Sequence, residues 1–182
     1  MSWSAALAAE RARLERGARA LEAWLDTPEP VWSTRPAPQA WSVAEVLEHV
    51  TLTQHFLLLL IEKLSSRGMA RAARGEVPPP PGDHAALDAL ASRDFRWERP
   101  EHMAPTSSAT RAQLAERLAD QTRRARAVLE LVPDGQGALA DARMGTIDAR
   151  LDAYGFLHLY VLHAERHLEQ LERNARALTP AP

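Results

Sequence analysis

The chain contains no cysteine, which removes disulfide scaffolds, thiolate nucleophiles and every metal site built on sulfur. Any metal would have to be held by histidine, carboxylate or water. Net charge is nearly absent as well. A balance of -2 over 182 residues gives no electrostatic footprint for nucleic acid, and the local run of Arg123, Arg124 and Arg126 reads as a solvated helix face. Long apolar runs are missing: the longest, Phe56 to Ile61, falls far short of the roughly 20 residues that cross a bilayer. The N-terminal "MSWSAALAAERARLERGAR" has no basic segment leading into an apolar one, so no secretion signal is expected. These absences predict a soluble, cytoplasmic protein with no nucleic-acid or membrane partner. There is no internal repeat, and no stretch alternates convincingly in the manner of a strand.

What is present is helical periodicity. With 46% hydrophobic residues the chain can bury one sizeable core, which predicts a single domain over residues 1–182. Trp3, Leu7, Leu14, Leu21 and Leu25 recur at helical spacing and predict a first amphipathic helix ending before Pro28. Pro28, Pro30, Pro36 and Pro38 then impose an extended connection. A second helix starts at "WSVAE", where Ser42 and Glu45 form a capping box, and is expected to reach about Ser65. A proline-rich connection covers about 67–83, with four consecutive prolines at 78 to 81 favouring a stiff polyproline segment. A short helix is expected near Ala85 to Ser92. Thr110 and Gln113 make another capping box before the stripe Leu114, Leu118, Gln121, Ala125, Val128, Leu129 and Val132, and "PDGQG" ends that helix. The last helix is expected from about Thr146, with Asp148 in its first turn, to about Asn174. Four helices of 20 or more residues without strands predict an all-α four-helix bundle. The five tryptophans, at 3, 24, 32, 41 and 97, read as packing near helix ends.

The last helix carries the chemistry. In "VLHAERHLEQLER", His163 and His167 stand four residues apart, a turn apart on one face, so both rings can converge on one point. The zinc-protease signature is excluded, because Ala164 stands where its general-base Glu belongs and Glu165 is rotated off the histidine face. A di-iron carboxylate bundle is disfavoured too, because no histidine has a Glu three residues before it. Seven histidines produce an i,i+4 pair by chance often enough that context must decide. Asp152, Phe156, Tyr160, His163, His167 and Gln170 form one stripe, and His158 falls on nearly the opposite side, which reads as a surface or satisfied packing histidine. A metal site needs a partner from another helix, and His49, His55, His84 and His102 remain. His49 is best placed, two turns into the second helix among apolar residues; core packing is the alternative for it. His55 is rotated about 120° away on the same helix.

Taken together, "WSVAEVLEHV", "RWERPEHMAP", the helix from Thr110 to Val132 and "MGTIDARLDAYGFLHLYVLHAERHLEQLER" resemble the DinB superfamily, the DinB/YfiT-like metalloenzymes, over nearly the whole chain. The resemblance implies an up-down-down-up bundle with a three-histidine metal site, carried here by His49, His163 and His167. It departs in "ADARMG", where many relatives have His-Pro and this chain has Asp141 and Ala142. Three imidazoles leave open coordination positions, which suits catalysis; Zn is the default ion, with Ni or Fe compatible. Tyr160, one turn before His163, is the candidate for orienting substrate or water, with plain packing as the alternative; Asp152 and Gln170 are candidates for the shell behind the ligands. The resemblance further implies a small-molecule substrate, transfer to a low-molecular-weight thiol such as bacillithiol or mycothiol or a related hydrolysis, and a homodimer. A stress-associated bundle that binds metal or ligand without turnover is the alternative.

Overall fold

The computed structural model describes residues 2–91, 100–145 and 148–179. Its long elements are the helices α1 (Trp3–Ala23), α3 (Val43–Ala72), α5 (Arg111–Leu131) and α6 (Ala153–Leu178). Between them lie the short helices α2 (Glu29–Ser33) and α4 (Ala85–Asp88), several 3₁₀ turns, and the strands β1 (Asp141–Met144) and β2 (Ala149–Asp152). The fold is helical, as the periodicity predicts. Both capping boxes are present: Ser42 with Glu45 opens α3 and Thr110 with Gln113 opens α5. Each satisfies two backbone donors that the first turn leaves free.

Both α1 and α3 pack against α5 and α6, and the contacts give the directions. Asn174, near the end of α6, donates to the Trp41 carbonyl just before α3 (2.8 Å), so those two helices run antiparallel. Arg126 of α5 pairs with Glu15 of α1, while Arg111, where α5 begins, donates to the Thr27 carbonyl beyond the end of α1 (2.7 Å); these two also run oppositely. The core divides accordingly. Leu57, Ile61, Leu64, Val128, Leu129 and Phe156 fill one end, and Leu21, Val43, Val46, Val50, Leu118 and Leu171 fill the other. His49 stands one turn after Val46 and directly before Val50, so it belongs to the second end. The helix α3 is long and apolar enough to cross a bilayer, but 67% of its apolar window is buried inside the protein.

Four expectations are corrected. The first connection is not wholly extended, because Glu29–Ser33 makes a short helix with proline in its first turn, where the missing N–H costs nothing. The second helix does not stop near Ser65 but continues to Ala72. Gly68 lies in this continuation: a Cβ there would sit 2.0 Å from the Gln136 carbonyl oxygen, so the glycine admits the 3₁₀ turn Gln136–Leu139 against the helix. The last helix begins at Ala153, not near Thr146, and Asp152 is its cap, accepting from the Gly155 N–H (2.8 Å). Ahead of it β1 and β2 pair antiparallel, Asp141 opposite Asp152; four-residue strands are too short for alternation to reveal, and Asp148 turns the chain at φ 47°. Asp152 is therefore a cap. Thr146, Ser92 and Trp97 lie outside the described residues. The short helix near Ala85 is found over Ala85–Asp88 and continues as a 3₁₀ turn to Ala91.

Candidate metal centre

Three imidazoles from two helices converge. His49 of α3 and His163 and His167 of α6 each offer a ring nitrogen, and these atoms lie within 4.8 Å of one another. The ring centroids are 5.1 Å apart for His49 and His163, 4.8 Å for His49 and His167, and 4.5 Å for His163 and His167. Local sequence produces this: the i,i+4 spacing stacks the α6 pair, and the antiparallel α3 lays His49 against them.

The orientation of each ring is set from behind. His49 Nδ1 donates to the Met103 carbonyl (2.7 Å) and His167 Nδ1 donates to Gln170 Oε1 (2.8 Å). A ring that donates through Nδ1 as a neutral imidazole keeps its lone pair on Nε2. His49 Nε2 is 3.3 Å from His163 Nε2. Two nitrogens each about 2.0–2.1 Å from one tetrahedral zinc ion stand about 3.3 Å apart, so this pair already has the spacing of two ligands on one ion. The donor set fits a divalent metal. One feature is unsatisfied: His163 Nδ1 is buried without a hydrogen-bond partner, although the residue as a whole keeps some surface.

The environment keeps the two α6 rings neutral. Burial, then the neighbouring His167 and His49, push His163 well below the ordinary histidine range. Burial first, and then His49, bring His167 to about 3, against a smaller opposing effect of the Gln170 hydrogen bond. Metal ligation requires neutral imidazole, so these sites are ready for it at neutral pH. Trp41 closes one side, its ring 4.9 Å from that of His49.

The other candidates are placed elsewhere. His55 is exposed on α3, and the His102 ring lies 6.2 Å from that of Phe56. His158 is buried and satisfied, with Nδ1 3.1 Å from Glu10 Oε2 and Nε2 2.9 Å from Asp88 Oδ1; its ring lies 5.8 Å from that of His84. Glu165, off the histidine face, makes a bidentate pair with Arg13 (3.1 and 2.7 Å). Tyr160 is 2% exposed and lines a cavity of roughly one water molecule with Gln54, Leu118 and Thr122, a lining that includes none of the three imidazoles. Burial raises its phenol further above the ordinary range. The Arg123–Arg126 face is paired with acids, Arg124 with Glu62 and Arg126 with Glu15.

Sequence reasoning found the three imidazoles and Gln170 but missed the Met103 carbonyl, Trp41 beside His49, and Glu48. A buried acid next to a candidate ligand in "VLEHV" was the available signal. The model of the DinB superfamily matches residues 11–171 of the chain. No curated protein and no solved structure matches it.

Proposed function

We propose, on the premise that this chain belongs to the DinB superfamily, that it is a divalent-metal-dependent enzyme with His49, His163 and His167 as ligands, acting as a thiol S-transferase or a related hydrolase. The observation that carries the reading is the trio itself, two of its Nε2 atoms 3.3 Å apart and two of its rings fixed from behind. Bound there, a zinc ion, or nickel or iron in its place, supplies a Lewis acid that lowers the pKa of water or thiol and polarises a substrate oxygen.

The chain's own residues do the rest. Met103 and Gln170 hold the two rings in the ligating tautomer, which avoids reorganising them when a ligand enters. Trp41 shields His49 from water on one side. Tyr160, kept protonated by its burial, is the residue we assign to orienting water or substrate through its hydroxyl. A low-molecular-weight thiol such as bacillithiol or mycothiol is the cosubstrate of this reading, with a small electrophile as its partner in a cytoplasmic homodimer of one domain per chain.

The test is metal content by plasma mass spectrometry on untagged protein, comparing wild type with His49→Ala, His163→Ala and His167→Ala. About one equivalent in wild type, lost in all three folded variants, is expected from three shared ligands. A screen of electrophiles with thiols then follows, with turnover abolished in His163→Ala. Retained metal without turnover of any electrophile would leave a non-catalytic binding protein, and no metal after reconstitution with Zn, Ni or Fe would overturn the reading.

A further inference from the structure

The face of α3 that carries His49 also grips a strap of chain, residues 103–108, from more than 50 positions further along. Glu45, Glu48, His49 and Thr53 stand at i, i+3, i+4 and i+8, which places them on one side of the helix. Each holds a strap atom. Ser107 Oγ donates to Glu45 Oε1 (2.8 Å). The Thr106 and Ser107 N–H groups donate to Glu48 Oε2 (3.1 and 2.8 Å), and Thr106 Oγ1 donates to Glu48 Oε1 (2.8 Å). His49 Nδ1 donates to the Met103 carbonyl (2.7 Å), and Thr53 Oγ1 to Met103 Sδ (3.7 Å).

Two features say this grip is more than incidental packing. Glu48 is only 4% exposed, and a carboxylate taken out of water persists only when donors replace the lost hydration; all three of its donors here come from the strap. Ser107 adopts φ 59°, a left-handed conformation that disfavours any residue but glycine. Its N–H on Glu48 and its hydroxyl on Glu45 hold it there. The strap is thereby fixed at the one height where the Met103 carbonyl reaches the imidazole of the residue following Glu48.

We propose that Glu48 is a positioning residue for His49: by fixing Thr106 and Ser107 it holds the Met103 carbonyl on His49 Nδ1, which selects the tautomer and rotation that turn Nε2 toward His163 and His167. The affinity part of this inference rests on the reading of the trio as metal ligands; the tautomer part does not. Acceptors behind ligating histidines change metal affinity by about 10–100-fold when lost. Here the acceptor is a main-chain carbonyl, so its position is set by the strap's anchors on α3.

The test uses the full chain, ¹⁵N-labelled and freed of metal with a chelator. Two-bond ¹H–¹⁵N correlations read the His49 tautomer, and competition between protein and a chromophoric chelator for Zn²⁺ reads affinity. Wild type is expected to show His49 protonated on Nδ1. Glu48→Ala should shift His49 toward Nε2 protonation and weaken zinc binding about 10–100-fold, while Glu48→Gln, which still offers an acceptor to the two N–H groups, should restore most of both. If Glu48→Ala fails to fold by circular dichroism, Thr106→Val, which removes one of the three donors, should weaken zinc a few-fold with the same tautomer drift. An unchanged His49 tautomer in the folded variants overturns the proposal. Failure of wild type to take zinc would overturn the metal reading instead, and the tautomer comparison would still decide the role of Glu48.

Discussion

His49 and His163 aim their Nε2 atoms at each other across 3.3 Å. With His49 Nδ1 donating to Met103, a lone pair faces His163, and only a proton or a cation between the rings relieves the contact. A metal that binds the folded chain and not the unfolded one stabilises it by mass action, about 2.7 kcal/mol at a free concentration 100 times Kd. Thermal unfolding with excess chelator and then with zinc should therefore show a rise in midpoint for wild type. His49→Ala and His163→Ala should show none, and an equal rise in the variants would place the ion elsewhere.

Acid should unfold the metal-free protein early. The folded values of His163 and His167 lie below the unfolded value near 6.5, the latter at about 3. As pH falls below 6.5 the unfolded chain binds protons that the folded chain refuses. Stability is then fully present above 6.5 and is lost toward pH 3, by about 1.4 kcal/mol per pH unit for each histidine. Urea midpoints at pH 7, 6 and 5 in chelator would measure the slope, and the window above pH 5 avoids the carboxylates. His167→Gln should reduce it by about half.

The opposite slope is expected from His158. Both its ring nitrogens face carboxylates, Glu10 and Asp88, and the doubly protonated ring donates to both, while Arg13 Nη1 lies 3.3 Å from the Nδ1 that faces Glu10. Burial lowers its pKa, but the hydrogen bond and charge of Glu10 and the hydrogen bond of Asp88 outweigh both burial and the nearby Arg13, and the net shift is upward. Its stabilisation is fully present below the unfolded value near 6.5 and is lost as pH rises through the higher folded value. The slope there is at most about 1.4 kcal/mol per pH unit. His158→Gln should remove the alkaline loss of stability, and Asp88→Asn should reduce it while loosening α4 from α6.

Gly68 sets the register of α3 against the turn at Gln136. Its missing Cβ would lie 2.0 Å from the Gln136 carbonyl oxygen and 2.9 Å from the carbonyl carbon, both backbone atoms that cannot swing aside. Gly68→Ala should destabilise the protein by about 1–3 kcal/mol, despite the better helix propensity of alanine. Gly75→Ala is a control for backbone strain without contact, because it has φ 89° and nothing near its would-be Cβ. Chemical denaturation of both variants separates the two effects.

What the sequence made legible was local. His163 and His167 are related by one helical turn, and Ser42 with Glu45 and Thr110 with Gln113 cap within three residues, so periodicity alone exposes them. What it concealed was pairing at a distance. Met103 meets His49 across 54 residues, His158 meets Glu10 across 148, and neither leaves a mark on local spacing. Asp152 has the phase of the histidine stripe, yet it ends β2 and caps α6. The run of α3 past Ser65 to Ala72 includes Gly68, a poor helix former by propensity whose value lies in the distant contact with Gln136.

Tyr160 divides the catalytic reading from plain packing. It stands one turn before His163, 2% exposed, in a water-sized cavity with Gln54 and Thr122, and its phenol stays protonated across the whole neutral range. A hydroxyl used to orient water or substrate stabilises the transition state and leaves metal affinity alone, so Tyr160→Phe should lower kcat by about 100-fold or more with zinc content and KM nearly unchanged. If the ring only packs, the same variant keeps its volume and its rate, because removing a buried hydroxyl without a reacting partner touches stability and not turnover. Measuring kcat, KM and zinc stoichiometry on one preparation of Tyr160→Phe settles which, since only the first role separates rate from metal.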